Sequence, residues 1–130
     1  MEHRLKLYTS PVSAGFPSPA EDHVDETLDL NDFLITNPPA TYLIRVVGDS
    51  MIGAAIAERD ILVVDASLTP KHNDIVVASV DGEFTVKRFS KDKGKIWLKP
   101  ENPNYSPIAL NPDDELIIVG VVTGVVRKTK

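Results

Sequence analysis

From Thr41 onward, short apolar and β-branched runs alternate with polar turns, a pattern that predicts strands. The runs are Tyr42–Val47, Ile61–Val64, Ile75–Val80, Phe84–Phe89, Ile96–Leu98 and Leu116–Val126. Asp81-Gly82 between the third and fourth predicts a two-residue hairpin, because a type I′ turn needs positive φ at both central residues. Gly120 and Gly124 interrupt the longest run and predict bends or bulges. Pro100, Pro103, Pro107 and Pro112 punctuate the loop before it. No helices alternate with the strands, so the fold expected is mainly β, curved and largely antiparallel.

The first forty residues read differently. Prolines, serines and Gly15 crowd residues 10–19, which predicts an extended arm with Ala14-Gly15-Phe16 in its middle. Residues 1–20 are expected to form this flexible arm, and 21–130 the β domain. Residues 21–36 turn acidic and then amphipathic, through Leu28, Leu30, Phe33, Leu34 and Ile35. They predict a short N-terminal helix of two or three turns, capped by Asp25 or Asp29 and stopped by Asn37-Pro38-Pro39. The acids Glu21, Asp22, Asp25 and Glu26 suit a solvated helix start. No metal or cofactor is expected.

Composition narrows the function classes. A chain of 130 residues fits one domain with its own core. It has no cysteine, which excludes disulfides and thiolate metal sites. A net charge of −5 argues against nucleic acid as the main partner. The basic residues between Lys87 and Lys95, and Arg127, Lys128 and Lys130 at the tail, read as solvated strand ends and a frayed terminus. No run of about 20 apolar residues predicts a membrane span, and the N-terminus lacks a secretory h-region. A cytoplasmic location is expected.

Two residues carry candidate chemistry. Gly48 permits a sharp exit from the first strand into Asp49-Ser50-Met51. If Ser50 opens a helical turn, unpaired N–H groups of Asp49 and Ser50 are donors for an oxyanion. The same residues suit a helix N-cap, and local sequence leaves both readings open. With Asp81-Gly82 at the turn, Val80 faces Glu83, Ala78 faces Thr85 and Val76 faces Lys87. Lys87 then emerges among apolar and small residues, while Ile75, Val77, Phe84 and Val86 form the core face. Desolvation favours a neutral amine, which can act as general base to a serine. An edge lysine reaching to water is the alternative. A rival base is His72, oriented by Asp74 or Asp65, although His72 lies in a polar turn.

Together these segments closely resemble the UmuD-type mutagenesis proteins, within the LexA/UmuD-like family of Ser-Lys self-cleaving peptidases. The match runs through Gly15-Phe16-Pro17-Ser18-Pro19-Ala20, Gly48-Asp49-Ser50-Met51 and Val80-Asp81-Gly82-Glu83-Phe84-Thr85-Val86-Lys87. It continues in Asn104-Tyr105-Ser106-Pro107-Ile108 and Val119-Gly120-Val121-Val122. The resemblance implies the β-rich fold shared by the C-terminal domains of LexA-type repressors and by signal peptidases. It implies Ser50 as nucleophile, Lys87 as general base and Ala14-Gly15 as the bond cut. It further implies stimulation by a RecA nucleoprotein filament during the SOS response. A processed homodimer then serves a UmuC-type, Y-family polymerase in translesion synthesis. A non-catalytic dimeric module regulating a polymerase is the alternative function. A signal-peptidase-like enzyme lacks its membrane anchor here, and a repressor lacks room for a helix-turn-helix before Thr41.

Overall fold

A computed structural model of the chain describes residues 3–8, 15, 24–111 and 113–130. Contacts divide the chain into two units, Met1–Thr36 and Asn37–Lys130. In the first, strand β1 (Arg4–Tyr8) pairs antiparallel with β2 (Val24–Asp29), from Arg4 opposite Asp29 to Tyr8 opposite Val24. The five-residue helix α1 (Leu30–Leu34) follows directly. Asp29 caps it, its Oδ1 accepting the Asn31 N–H at 2.9 Å.

The expected helix of two or three turns is corrected here: residues 24–29 are a strand. Pairing with Arg4–Tyr8 supplies hydrogen bonds that local sequence does not reveal. The Pro-rich stretch, Ala14 and the acids Glu21 and Asp22 lie outside the described residues. Gly15 is described and exposed.

The second unit is a seven-stranded sheet in the order β3-β4-β9-β5-β6-β7-β8. Its strands are β3 (Thr41–Arg45), β4 (Ile61–Asp65), β5 (Ile75–Val80), β6 (Glu83–Asp92), β7 (Lys95–Lys99), β8 (Ile108–Ala109) and β9 (Leu116–Val126). Every neighbouring pair is antiparallel. The β5–β6 hairpin has the expected register, with Val76 opposite Lys87 and Ala78 opposite Thr85. Asp81 and Gly82 take φ of 48° and 86°, as a type I′ turn requires. A second tight turn of the same sign, Lys93-Gly94 at 51° and 79°, joins β6 to β7 and lengthens both beyond the runs visible in sequence.

The central strands are buried on both faces. Val77, Leu62, Val64, Val46, Met51 and Ile56 form one cluster, and Val76, Ala78, Phe89, Leu98 and Val121 another. Each such buried Val, Leu or Phe contributes about 1.5–3 kcal/mol. Ile75, Val77 and Val86 belong to the first cluster, but Phe84 does not: it is 74% exposed. Phe84 pairs with Ser79 one step from the hairpin turn.

Strand β9 bulges twice. Val119 is passed over between the pairs Val77–Gly120 and Ala78–Ile118, and Thr123 between Val63–Gly124 and Val64–Val122. Gly120 is required by close approach, since a Cβ there would lie 2.6 Å from Val64 Cγ1 and 3.1 Å from the Asp65 carbonyl oxygen. The bulged Val119 offers its carbonyl to the Tyr42 hydroxyl at 2.7 Å, tying β9 to β3 beside the site.

Candidate active site

Ser50 sits where β3 leaves the sheet. Val46 is still bound to the β4 side, donating to the Asp60 carbonyl and accepting from the Arg59 N–H, each at 2.9 Å. Gly48 then takes φ +88°, a backbone region L side chains rarely adopt, and the chain turns through Asp49-Ser50 into a 3₁₀ turn over Ile52–Ala54. Met51, 2% exposed in the first core cluster, anchors the turn from below. Among the described residues the N–H groups of Asp49 and Ser50 have no hydrogen-bond partner. The N-cap reading of Ser50 is not what forms, because its side chain meets Lys87 instead of a backbone N–H.

Lys87 is 9% exposed. Its Nζ donates to Thr85 Oγ1 at 2.6 Å, to the Val86 carbonyl at 3.1 Å and to Ser50 Oγ at 3.1 Å. All three acceptors are neutral, and among the described residues no carboxylate pairs with the amine. Burial therefore pushes the Lys87 ammonium below the usual lysine value. A neutral amine has two N–H donors and one lone pair. With Thr85 and Val86 taking the donors, the lone pair is left for the Ser50 hydroxyl proton. The edge-lysine reading does not fit a side chain so enclosed.

Both groups line a cavity of about 740 Å³ whose walls include Tyr42, Ile44, Val77, Phe84 and Val119. Exposed Phe84 thus has a place at this cavity, not in the core. The rival base is not brought to Ser50. His72 Nδ1 accepts the N–H of Lys91 on β6, while Asp74 accepts the Lys71 N–H and Asp65 accepts from Ser67, each of these two within its own turn. Among the described residues no cluster of His, Asp or Glu has the form of a metal site.

Sequence reasoning missed the loop that grips the serine turn. The Glu101 N–H donates to the Ser50 carbonyl at 2.8 Å, and the Gly53 N–H to the Glu101 carbonyl at 2.7 Å. Asn102 and Tyr105 both bond Asp49. The sequence signals were the polar, proline-spaced stretch and the Asn104-Tyr105-Ser106-Pro107-Ile108 match, and neither shows a partner some fifty residues earlier.

The chain matches the peptidase S24-like family over residues 6–123. Protein SamA of Salmonella typhimurium is 48% identical over 124 residues, covering 95% of this chain and 86% of that protein. Protein MucA of Escherichia coli is 43% identical, covering 93% and 83%. LexA repressor 1 of Geobacter sulfurreducens is 43% identical over 89% of this chain but 57% of its own length. With Ser50 and Lys87 at 3.1 Å on a β scaffold, and a match running through both, the chain belongs to the peptidase S24-like family and is of the UmuD type.

Proposed function

We propose that this protein is a Ser-Lys autopeptidase that cuts its own N-terminal arm between Ala14 and Gly15. The observation that carries the reading is a buried lysine amine, without an anionic partner among the described residues, 3.1 Å from a serine hydroxyl. In this reading neutral Lys87 takes the Ser50 proton as Oγ attacks the Ala14 carbonyl carbon. The tetrahedral oxyanion is held by the N–H groups of Asp49 and Ser50. The C–N bond breaks as Lys87 returns the proton to the Gly15 nitrogen, leaving an ester between Ser50 and Ala14. Lys87 then deprotonates a water that hydrolyses the ester. Small side chains at Ala14 and Gly15 let the peptide approach closely, and an arm tethered to its own enzyme reacts at high effective concentration.

In the same reading, a RecA filament on single-stranded DNA raises the population of the docked arm during the SOS response. The processed homodimer serves a UmuC-type polymerase in translesion synthesis. The family and the relatives SamA and MucA support this assignment. The test is mass spectrometry of purified protein incubated at rising alkaline pH. A cut between Ala14 and Gly15, absent in Ser50→Ala and Lys87→Ala, is expected. A chain that stays whole with RecA, nucleotide and single-stranded DNA would leave the non-catalytic polymerase module as the better reading.

A further inference from the structure

Residues 101–105 hold Asp49 and Ser50 through atoms that set the direction of a backbone donor. Asn102 Nδ2 donates to the Asp49 carbonyl oxygen at 3.0 Å, and Tyr105 Oη donates to Asp49 Oδ1 at 2.7 Å. The Asn102 amide is itself fixed, because its Oδ1 accepts the Asn104 N–H at 2.9 Å. The Tyr105 N–H donates to the Asn102 carbonyl at 3.1 Å, closing the turn that presents both side chains together.

The Asp49 carbonyl and the Ser50 N–H belong to one planar, trans peptide unit, so they point in opposite directions. The Asp49 carbonyl also accepts the Ile52 N–H at 3.2 Å, and Asn102, by the shorter bond, is its second donor, so that together they direct the Ser50 N–H away from the loop. That N–H has no hydrogen-bond partner among the described residues. The next peptide is held the same way, its Ser50 carbonyl accepting the Glu101 N–H at 2.8 Å. The contact is close: a Cβ on Gly53 would lie 2.6 Å from the Glu101 carbonyl oxygen. Glu101 Oε1 also accepts from Arg88 Nε at 2.6 Å, and Arg88 is the residue after Lys87 on β6. One loop therefore braces both halves of the site.

We infer that Asn102 and Tyr105 are positioning residues that orient the Asp49–Ser50 peptide, so that the Ser50 N–H is fixed in advance as an oxyanion donor. The inference rests on the self-cleavage reading for its effect on rate, but not for its effect on the peptide. Preorganised donors act because they need no reorganisation when charge develops, and deleting one costs about 10²–10³ in rate. Misdirecting one costs less.

The test uses the full chain as wild type, Asn102→Ala and Tyr105→Phe. Self-cleavage is followed across alkaline pH, the thermal midpoint is measured, and the ¹⁵N order parameter of the Ser50 amide is read in uncleaved protein. In Asn102→Ala the maximal rate is expected to fall by about 10- to 100-fold. The pH midpoint set by Lys87 stays in place, and the order parameter drops from a rigid value near ~0.85 towards ~0.6. Tyr105→Phe, which deletes one oxygen from an exposed side chain, follows in the same direction with a smaller loss. It carries the test if Asn102→Ala does not fold. Rates within twofold of wild type with an unchanged order parameter would overturn the inference. A pH midpoint that moves with the rate would also overturn it, since the loop would then act through Lys87. If wild type does not cleave, the proposed function fails, and the order parameter alone decides whether Asn102 holds the peptide.

Discussion

Lys87 and Asp60 are both buried charged residues, and the molecule treats them in opposite ways. Asp60 is 1% exposed and is met by a bidentate guanidinium, with Arg127 Nε and Nη2 each 2.6 Å from a carboxylate oxygen. The Ala57 N–H adds a third bond at 2.8 Å. These donors hold the Asp60 carboxyl down at about 2, with the Arg127 hydrogen bonds the largest cause. Lys87 receives only a hydroxyl, a carbonyl and another hydroxyl. Burial disfavours its charge and lowers its proton affinity below the ordinary lysine value. A buried charge with a matched partner fixes the charged form and serves structure. A buried charge with neutral partners is held less firmly in its charged form, which is the direction a general base needs.

The sharpest way to break this comparison is to remove each residue's role separately. Lys87→Met is expected to lower self-cleavage at least about 10⁴-fold, the scale seen when a member of a nucleophile–base unit is lost. Its thermal midpoint should stay level or rise, because a buried amine without an anionic partner is replaced by an apolar chain of similar length. Arg127→Leu should do the reverse. It leaves the Asp60 carboxylate buried without its guanidinium, so the thermal midpoint falls while the intrinsic cleavage rate of the folded fraction is kept. Calorimetry and mass spectrometry on the two variants read both quantities. Similar losses of stability in the two would remove the distinction.

Much of the Lys87 side was legible in sequence, and little of the Asp60 side was. The Asp81-Gly82 turn fixes the β5–β6 register by local chemistry, so Lys87 opposite Val76 follows from counting. Gly48 and Ser50 are neighbours, and the sharp turn there is also local. Arg127 was expected in a frayed tail, because nothing nearby shows that a buried acid 67 residues earlier will meet it. Asn102 and Tyr105 were hidden for the same reason. Phe84 fits an alternating core pattern, but alternation does not show that its side chain will line a cavity instead. The helix was expected to start at Asp25 or Asp29, and the β2 strand before it went unread because its partner, Arg4–Tyr8, lies outside any local window. The peptidase fold itself was legible, since strand runs and hairpin signals are short-range.

Titration sharpens the comparison further, because the two groups depend on pH at opposite ends of the scale. The folded-state value of Asp60 is about 2, against the ordinary 3.8. Its stability contribution is therefore present above about 3.8 and is lost as pH falls towards 2. In Arg127→Leu the largest lowering cause is gone, the folded-state value rises towards 3.8 or beyond, and this acid loss should shrink. Lys87 is lowered from 10.5, so between its folded value and 10.5 the unfolded chain binds the extra proton. Stability should rise with pH through that window, and cleavage should rise as the folded amine deprotonates below 10.5. Denaturant melts across pH, with Lys87→Met as control, check both. An alkaline rise in stability that persists in Lys87→Met would assign it to another group.

The smallest effect tests what the neutral partners of Lys87 contribute. Thr85→Val removes the shortest bond to Nζ, at 2.6 Å, while keeping nearly the same shape. The ammonium loses an acceptor that favours the charged form, so the pH midpoint of cleavage should move down. The amine also loses one of the two bonds that direct its lone pair towards Ser50, so the maximal rate should fall by about 10-fold, a part of the 10²–10⁴ that general-base catalysis supplies. The two effects oppose each other near neutral pH and separate only in the full profile. A midpoint that falls with the maximal rate unchanged would show that Thr85 tunes the proton affinity of Lys87 without aiming it. A midpoint that rises would mean that the hydroxyl favours the neutral amine, and the contrast with Asp60, where every partner favours the charge, would then be sharper still.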